Sequence, residues 1–235
     1  MHKVKRNKAP LKLIEKDKEW KNSLKENPKL EPDWAKFSGT ALKKKTIAAL
    51  EEMYKGCCCY CESKIKSTSY PEIEHFKPKS KHKELCFDYN NLHYSCKRCN
   101  IAKGSHYNDN LINPSEDNPE EYIRYIGELA ISIDDNKRGV ETIDVIKLNE
   151  RADLKEERIR YLNEFRKNYE LLISAMETIL ESKDSKDMSI VKPFIANFIE
   201  NVKTKSNHGE SYCTMIKHNF SDKLDMLMEV LEEVK

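Results

Sequence analysis

The stretches Cys57-Cys58-Cys59-Tyr60-Cys61-Glu62 and Ser95-Cys96-Lys97-Arg98-Cys99-Asn100 decide how this chain folds. Glu74, His75 and Asn91 lie between them. Only Cys58 leaves a two-residue gap to Cys61, and Cys96 and Cys99 repeat that gap. Each such pair can turn both sulfurs onto one ion, and two pairs supply the four thiolates of a tetrahedral Zn²⁺ site. Residues 57–100 are rich in turn formers and poor in helical repeats. Zinc, rather than a large apolar core, is therefore expected to hold them together. Cys57 and Cys59 read as packing or surface thiols, and the isolated Cys86 and Cys213 as ordinary buried residues. Clustered cysteines in a chain with no evident secretory signal read as metal ligands rather than disulfides.

The residues between and after the knuckles carry a second chemistry. Glu74 offers a hard anionic oxygen and Asn100 a neutral amide oxygen, a set suited to Mg²⁺ or Mn²⁺. His75 has an ordinary pKa close to neutrality, which suits a general base. Phosphodiester hydrolysis needs such parts: a water made nucleophilic, and a cation to stabilise charge on the phosphoryl and leaving oxygens. Neighbours on an extended strand point to opposite faces, so Glu74 and His75 reach one phosphate only across a bend or bulge. Lys103 shares a helix face with Asn100 and reads as a phosphate contact. Lys77 and Lys79, with Lys81 and Lys83, read as a strip that tracks DNA, with a solvated loop as the competing reading. His93 and His106 read either as further ligands or phosphate contacts or as packing residues.

Outward from this segment the pattern becomes helical. Residues 1–30 read as a Lys-rich extended arm followed by a short helix, ended by Asn27-Pro28 and Glu31-Pro32. Residues 40–54 are predicted helical, with Thr40 as cap and Gly56 as terminator. Short strands are predicted at 70–76 and 85–88, then a helix starting near Cys96 or Asn100. Residues 108–121 read as loop and 129–133 as a short strand. Residues 137–148 fit a helix, with strand as the alternative because Thr142, Ile143, Val145 and Ile146 are β-branched. Residues 152–182 show a three-four apolar spacing over several turns (Ile159, Leu162, Phe165, Tyr169, Leu172, Ile173, Met176, Ile179) and are the strongest helix. Helices at 189–204 and 220–234 complete the reading, with Pro193 tolerable near a helix start.

The composition sets bounds on the rest. Of 235 residues, 38% are hydrophobic and 35% charged, which predicts a soluble chain with a modest core. No apolar run approaches the roughly 20 residues of a membrane helix. The basic N-terminus lacks the apolar stretch of a signal peptide, so no membrane partner and a cytoplasmic location are expected. The net charge of +2 is unevenly spread. Residues 1–107 hold 24 Lys and Arg against 13 Asp and Glu; residues 108–235 hold 18 against 27. A basic half around a metal site suits a phosphate backbone, while the acidic half suits packing or a protein partner. The organisation expected is a basic arm with helices over 1–56, a zinc-knuckle core over 57–107, and an acidic helical region over 108–235.

The ordered set Cys58-x-Tyr60-Cys61, Glu74-His75-Phe76-x-Pro78, Asn91-Leu92 and Cys96-x-x-Cys99-Asn100-x-x-Lys103-Gly104 resembles an HNH endonuclease of the zinc-knuckle type. The resemblance implies an α+β, mainly helical chain with a small ββα-metal core and a structural zinc, flanked by N- and C-terminal helices. It implies His75 as general base, Glu74 and Asn100 as ligands of a catalytic Mg²⁺ or Mn²⁺, and Asn91 as a brace for the loop holding the base. Asn at the third motif position favours Mg²⁺ over a tight transition-metal site. A wider pattern, Arg6 and Pro10, Ile112-Asn113-Pro114, and Glu141-Thr-Ile with Leu148-Asn149, Leu154 and Arg158, is similar to the PtuB-like HNH proteins of Septu and related retron anti-phage systems. That similarity implies a DNA-cutting defence effector and a PtuA-like ATPase partner, in a larger complex. The competing reading is a non-catalytic zinc ribbon that binds nucleic acid or serves as a scaffold. The four cysteines alone fit that ribbon; Glu74, His75 and Asn100 in register favour the nuclease.

Overall fold

The computed structural model describes residues 1–65, 70–182 and 188–233. The chain divides into two compact units. One comprises Met1–Ile123 and Ser132–Lys147, the other Arg124–Ile131 and Leu148–Lys235.

The first unit begins with an extended arm that runs to Pro10. Helix α1 (Leu11–Glu26) starts directly after that proline and stops at Asn27, ahead of Pro28. Arg6 ties the arm down. Its guanidinium donates to the carbonyls of Tyr89, Asn90 and Leu92 and lies 3.1 Å from His93 Nε2. A short helix α2 (Trp34–Ser38) is capped by Asp33, whose side chain accepts from the Lys36 amide. Helix α3 (Ala41–Tyr54) is capped by Thr40, as the sequence predicts. It ends with Lys55 in the left-handed region and Gly56 at φ +77°, a conformation that glycine adopts without strain. Its buried face is Leu50, Met53 and Tyr54. Each such side chain contributes about 1.5–3 kcal/mol by leaving water.

The zinc-knuckle segment follows. Strand β1 (Pro71–His75) pairs antiparallel with β2 (Leu92–Cys96), with Glu74 opposite His93 and His75 opposite Leu92. The second strand is therefore not at 85–88. Lys83–Leu85 forms a 3₁₀ turn, and Cys86 and Phe87 are buried anchors of the loop between the strands. A short apolar run carries the same signal for a strand as for a buried loop anchor. Helix α4 (Lys97–Lys103) starts on Cys96 and ends at Gly104. Together β1, β2 and α4 form the expected two strands and a helix. Asp117 and Arg138 pair further along this unit, and Thr142 Oγ1 accepts from the Ile112 amide.

Strands β3 (Ile123–Ile126) and β4 (Leu129–Ser132) make a hairpin turned at Gly127, with φ +58°. Residues 137–148 resolve to helix: α5 spans Lys137–Ile146. In the second unit, α6 (Ala152–Ser182), α7 (Met188–Lys205) and α8 (Cys213–Glu233) pack through Leu162, Phe165, Phe198 and Phe220. Pro193 sits inside α7, within its first turns. Helix α8 starts earlier than the predicted 220, and residue 234 of that prediction lies outside the described residues. Asn219 Oδ1 accepts from the Gly127 amide at 2.8 Å and its Nδ2 donates back to the Gly127 carbonyl. Arg158, buried, donates to the Leu148 carbonyl and to Tyr125 Oη. Among the described residues the architecture is mainly helical with two small sheets.

Candidate active site and metal centre

Cys58, Cys61, Cys96 and Cys99 converge, all buried, with their sulfurs within 4.8 Å of one another. A tetrahedral ion with Zn–S bonds of about 2.3 Å places sulfurs about 3.8 Å apart. Cys61 Sγ and Cys96 Sγ are 3.9 Å apart. The donor set and its spacing therefore fit zinc. Two hydroxyls lie against the sulfurs, Ser63 Oγ at 3.1 Å from Cys61 and Ser95 Oγ at 3.7 Å from Cys58. Burial pushes the Cys58 thiol up, but S–H donation from Cys59, Cys61, Cys96 and Cys99 outweighs it and holds Cys58 well below the usual thiol range. A low-pKa sulfur in a four-thiol cage is a ready metal ligand. Cys57 and Cys59 are buried packing residues, and burial raises both thiols, Cys57 to about 12. Cys86 and Cys213 are buried as expected.

Beside this cage an open cleft of about 620 Å³ is lined by Glu72, Glu74, His75, Lys79 and Asn100, with Trp34 on its wall. Glu74 is only 1% exposed. Lys103 Nζ meets its Oε1 at 2.6 Å, and Tyr60 Oη donates to the same oxygen at 3.4 Å. Burial raises the Glu74 carboxyl to about 7, despite the opposing pull of Lys103. His75, 7% exposed, stands 3.0 Å through Nε2 from the Cys86 carbonyl. A carbonyl only accepts, so Nε2 carries the proton and Nδ1 keeps the lone pair. Burial lowers His75 to about 4, leaving the ring neutral at pH 7. Trp34 packs edge-on against it, with ring centroids 4.6 Å apart.

Asn91 sits under the loop that leaves β1. Its Oδ1 accepts from the Lys77 amide at 2.7 Å, and its Nδ2 donates to the carbonyls of Lys77 and Leu85. Asn100 Nδ2 donates to Glu72 Oε2. With Nδ2 so engaged, Oδ1 is the amide atom left for a cation. The oxygen donors of Glu74 and Asn100 thus line one cleft with a neutral imidazole, a set that fits a hard divalent ion.

The lysines divide. Lys77 Nζ rests 5.4 Å from the Tyr107 ring centre and Lys79 Nζ 5.9 Å from that of Trp34. Lys103, by contrast, is 1% exposed and bonded to Glu74 and, at 2.9 Å, to the His75 carbonyl. It is a buried counter-charge rather than an open phosphate contact, because the carboxylate next to it is the stronger partner. His93 is buried between Tyr54 and Arg6 and packs, while His106 pairs with Glu141 at 2.7 Å. Glu72 and Trp34 had escaped the sequence reading. For Glu72 a signal was present: a carboxylate two residues before Glu74 shares its strand face. For Trp34, on a separate helix before the motif, there was none.

A family model for HNH endonucleases matches residues 58–106. The Septu protein PtuB of Bacillus mycoides (strain KBAB4) is 27% identical over 242 aligned positions, covering 85% of this chain and 82% of that protein. The Septu protein PtuB of Bacillus thuringiensis is 39% identical over 105, covering 43% of this chain and 40% of that protein.

Proposed function

We propose that this PtuB-like HNH endonuclease is a defence nuclease that hydrolyses DNA phosphodiester bonds, with its catalytic core in residues 57–107. The observation that carries the reading is the commitment of His75 Nε2 to the Cys86 carbonyl, which leaves Nδ1 as the base in a cleft shared with Glu74 and Asn100. His75 Nδ1 takes a proton from water, whose oxygen forms the new bond to phosphorus while the bond to the leaving 3′ oxygen breaks. The departing oxygen takes its proton from solvent. Glu74 and Asn100 would hold a Mg²⁺ or Mn²⁺ ion, which when bound stabilises charge on the phosphoryl and leaving oxygens. Asn91 holds the loop after His75 in place. Cys58, Cys61, Cys96 and Cys99 would hold zinc as a structural ion.

Lys77 and Lys79 serve as DNA contacts, Lys79 at the cleft itself, supported by a basic surplus over residues 1–107. The acidic region over 108–235 docks a PtuA-like ATPase, and the protein acts in the cytoplasm. No helix among the described residues is long and apolar enough to cross a membrane. The test is DNA cleavage by the protein, alone and co-purified with its ATPase, in Mg²⁺ or Mn²⁺. His75→Ala is expected to abolish cleavage with the melting temperature kept. Full cleavage by a folded His75→Ala protein would sink the proposal.

A further inference from the structure

Glu72 lies two residues before Glu74 on β1, on the same face of the strand, and lines the same cleft. Its Oε2 accepts from Asn100 Nδ2 on α4. An ionised carboxylate only accepts, so the amide cannot turn its oxygen toward Glu72. The contact therefore selects one of the two amide orientations and directs Oδ1 away from Glu72. We propose that Glu72 is a positioning residue of the divalent-ion site: it fixes the amide flip of Asn100 so that Oδ1, and not Nδ2, is offered to the cation. The inference rests on the assignment of Glu74 and Asn100 as cation ligands.

An asparagine amide free to rotate presents its NH₂ as readily as its oxygen, and an NH₂ group repels a cation. A residue that removes that freedom raises affinity without touching the ion. Outer partners of this kind typically change metal affinity 10- to 100-fold when removed. The bond crosses from β1 to α4, so it also links the strand that carries Glu74 to the helix that carries Asn100.

The test is Mn²⁺ binding to the zinc-loaded protein without DNA, by calorimetry or by the electron paramagnetic resonance of free Mn²⁺. Glu72→Ala is expected to weaken binding at least tenfold. Glu72→Gln carries a donor as well as an acceptor, can pair with either orientation of the Asn100 amide, and is therefore expected to weaken binding too; wild-type affinity in Glu72→Gln would overturn the inference. In an Asn100→Ala background, Glu72→Ala is expected to add nothing, since a residue that acts through Asn100 has no effect once Asn100 is gone. Wild-type affinity in a folded Glu72→Ala protein overturns the inference alone. So does a further loss when Glu72→Ala is added to Asn100→Ala, which would make Glu72 a ligand. No Mn²⁺ binding by wild type would overturn the assignment of the cation site and this inference with it.

Discussion

Replacing Lys103 with methionine removes the counter-charge of a carboxylate that is 1% exposed, and the size of the effect follows from the pKa of Glu74. That carboxyl is raised from 4.5 to about 7 with Lys103 in place. The fold thus favours its protonated form. The stabilisation this gives is full below pH 4.5 and is lost as the pH rises through about 7. Without Lys103 the group holds its proton to still higher pH. At pH 6 both proteins carry a mostly protonated Glu74, and the variant loses the bond to the His75 carbonyl and the packing, about 1–3 kcal/mol. Between pH 6 and 8 wild type releases the Glu74 proton and the variant keeps it, so the difference grows by about 1.4 kcal/mol. For a chain of this size each kcal/mol corresponds to roughly 2–4 °C in melting temperature. Thermal melts of the zinc-loaded, Mg²⁺-free proteins should thus show a gap that widens by about 3–6 °C from pH 6 to pH 8. A gap that stays constant over that range would refute the reasoning, because it would mean that the buried charge is not what Lys103 answers.

The activity profile should carry the same carboxyl. His75, lowered to about 4, stays a neutral base above about pH 5, whereas a proton on Glu74 competes with the cation below about 7. Raising Mg²⁺ tenfold should move the acid limb of cleavage down by about one pH unit; a limb fixed near 6.5 at every Mg²⁺ concentration would point to an ordinary histidine instead. Asn91→Ala removes three bonds to the loop after His75 and should reduce cleavage about 100-fold, since small displacements of a catalytic group have effects of that size; steady-state assays on protein with unchanged zinc content check it. Cys96→Ser should bring bound zinc from one ion per chain toward none, measured colorimetrically after thiol release, with a lower melting temperature. Arg6→Ala removes the guanidinium donor to the carbonyls of Tyr89, Asn90 and Leu92 and should destabilise by about 1–3 kcal/mol, read as a melting shift.

What was legible in the sequence had a fixed spacing behind it. The two CxxC gaps placed the four sulfurs correctly because a two-residue turn leaves them few other ways to point. The spacing of Leu162, Phe165 and Leu172 placed α6, because a buried helical face repeats. The strand at 85–88 failed because Cys86 and Phe87 are buried without joining a ladder. Helix α8 begins seven residues before the predicted start because its first turns carry His218 and Asn219, polar residues that grip Tyr125 and Gly127 rather than solvent. Lys103 read as an open cation because sequence shows a residue's type and helix phase, and not the carboxylate waiting across the fold. Trp34 reaches the cleft through tertiary packing, which no local spacing encodes, whereas Glu72 shares the strand face of Glu74 and was there to be read.

The four-cysteine cage and the proposed divalent-ion site draw on one stretch of chain, Leu92 to Lys103. Strand β2 ends on Cys96, and the sulfur of Cys96 caps α4 by accepting from the Cys99 amide. Asn100 and Lys103 are three residues apart on that helix, so its start and phase set both side chains at once. The same β2 pairs with β1 in a register that puts Glu74 opposite His93. A slip of one residue would send Glu74 and His75 to the wrong faces. An ion held by Cys58, Cys61, Cys96 and Cys99 therefore joins the first knuckle to the residues where β2 becomes α4, and in doing so fixes strand end and helix start together. The proposed divalent-ion site, by contrast, would rest on Glu74, Asn100 and the hydrogen bonds that aim them. If the two sites are assigned as proposed, zinc is expected to bind first: stripping Mg²⁺ should leave the zinc-bound fold intact, while stripping zinc should abolish both the fold of the core and Mg²⁺ binding, read by melting temperature and Mn²⁺ titration.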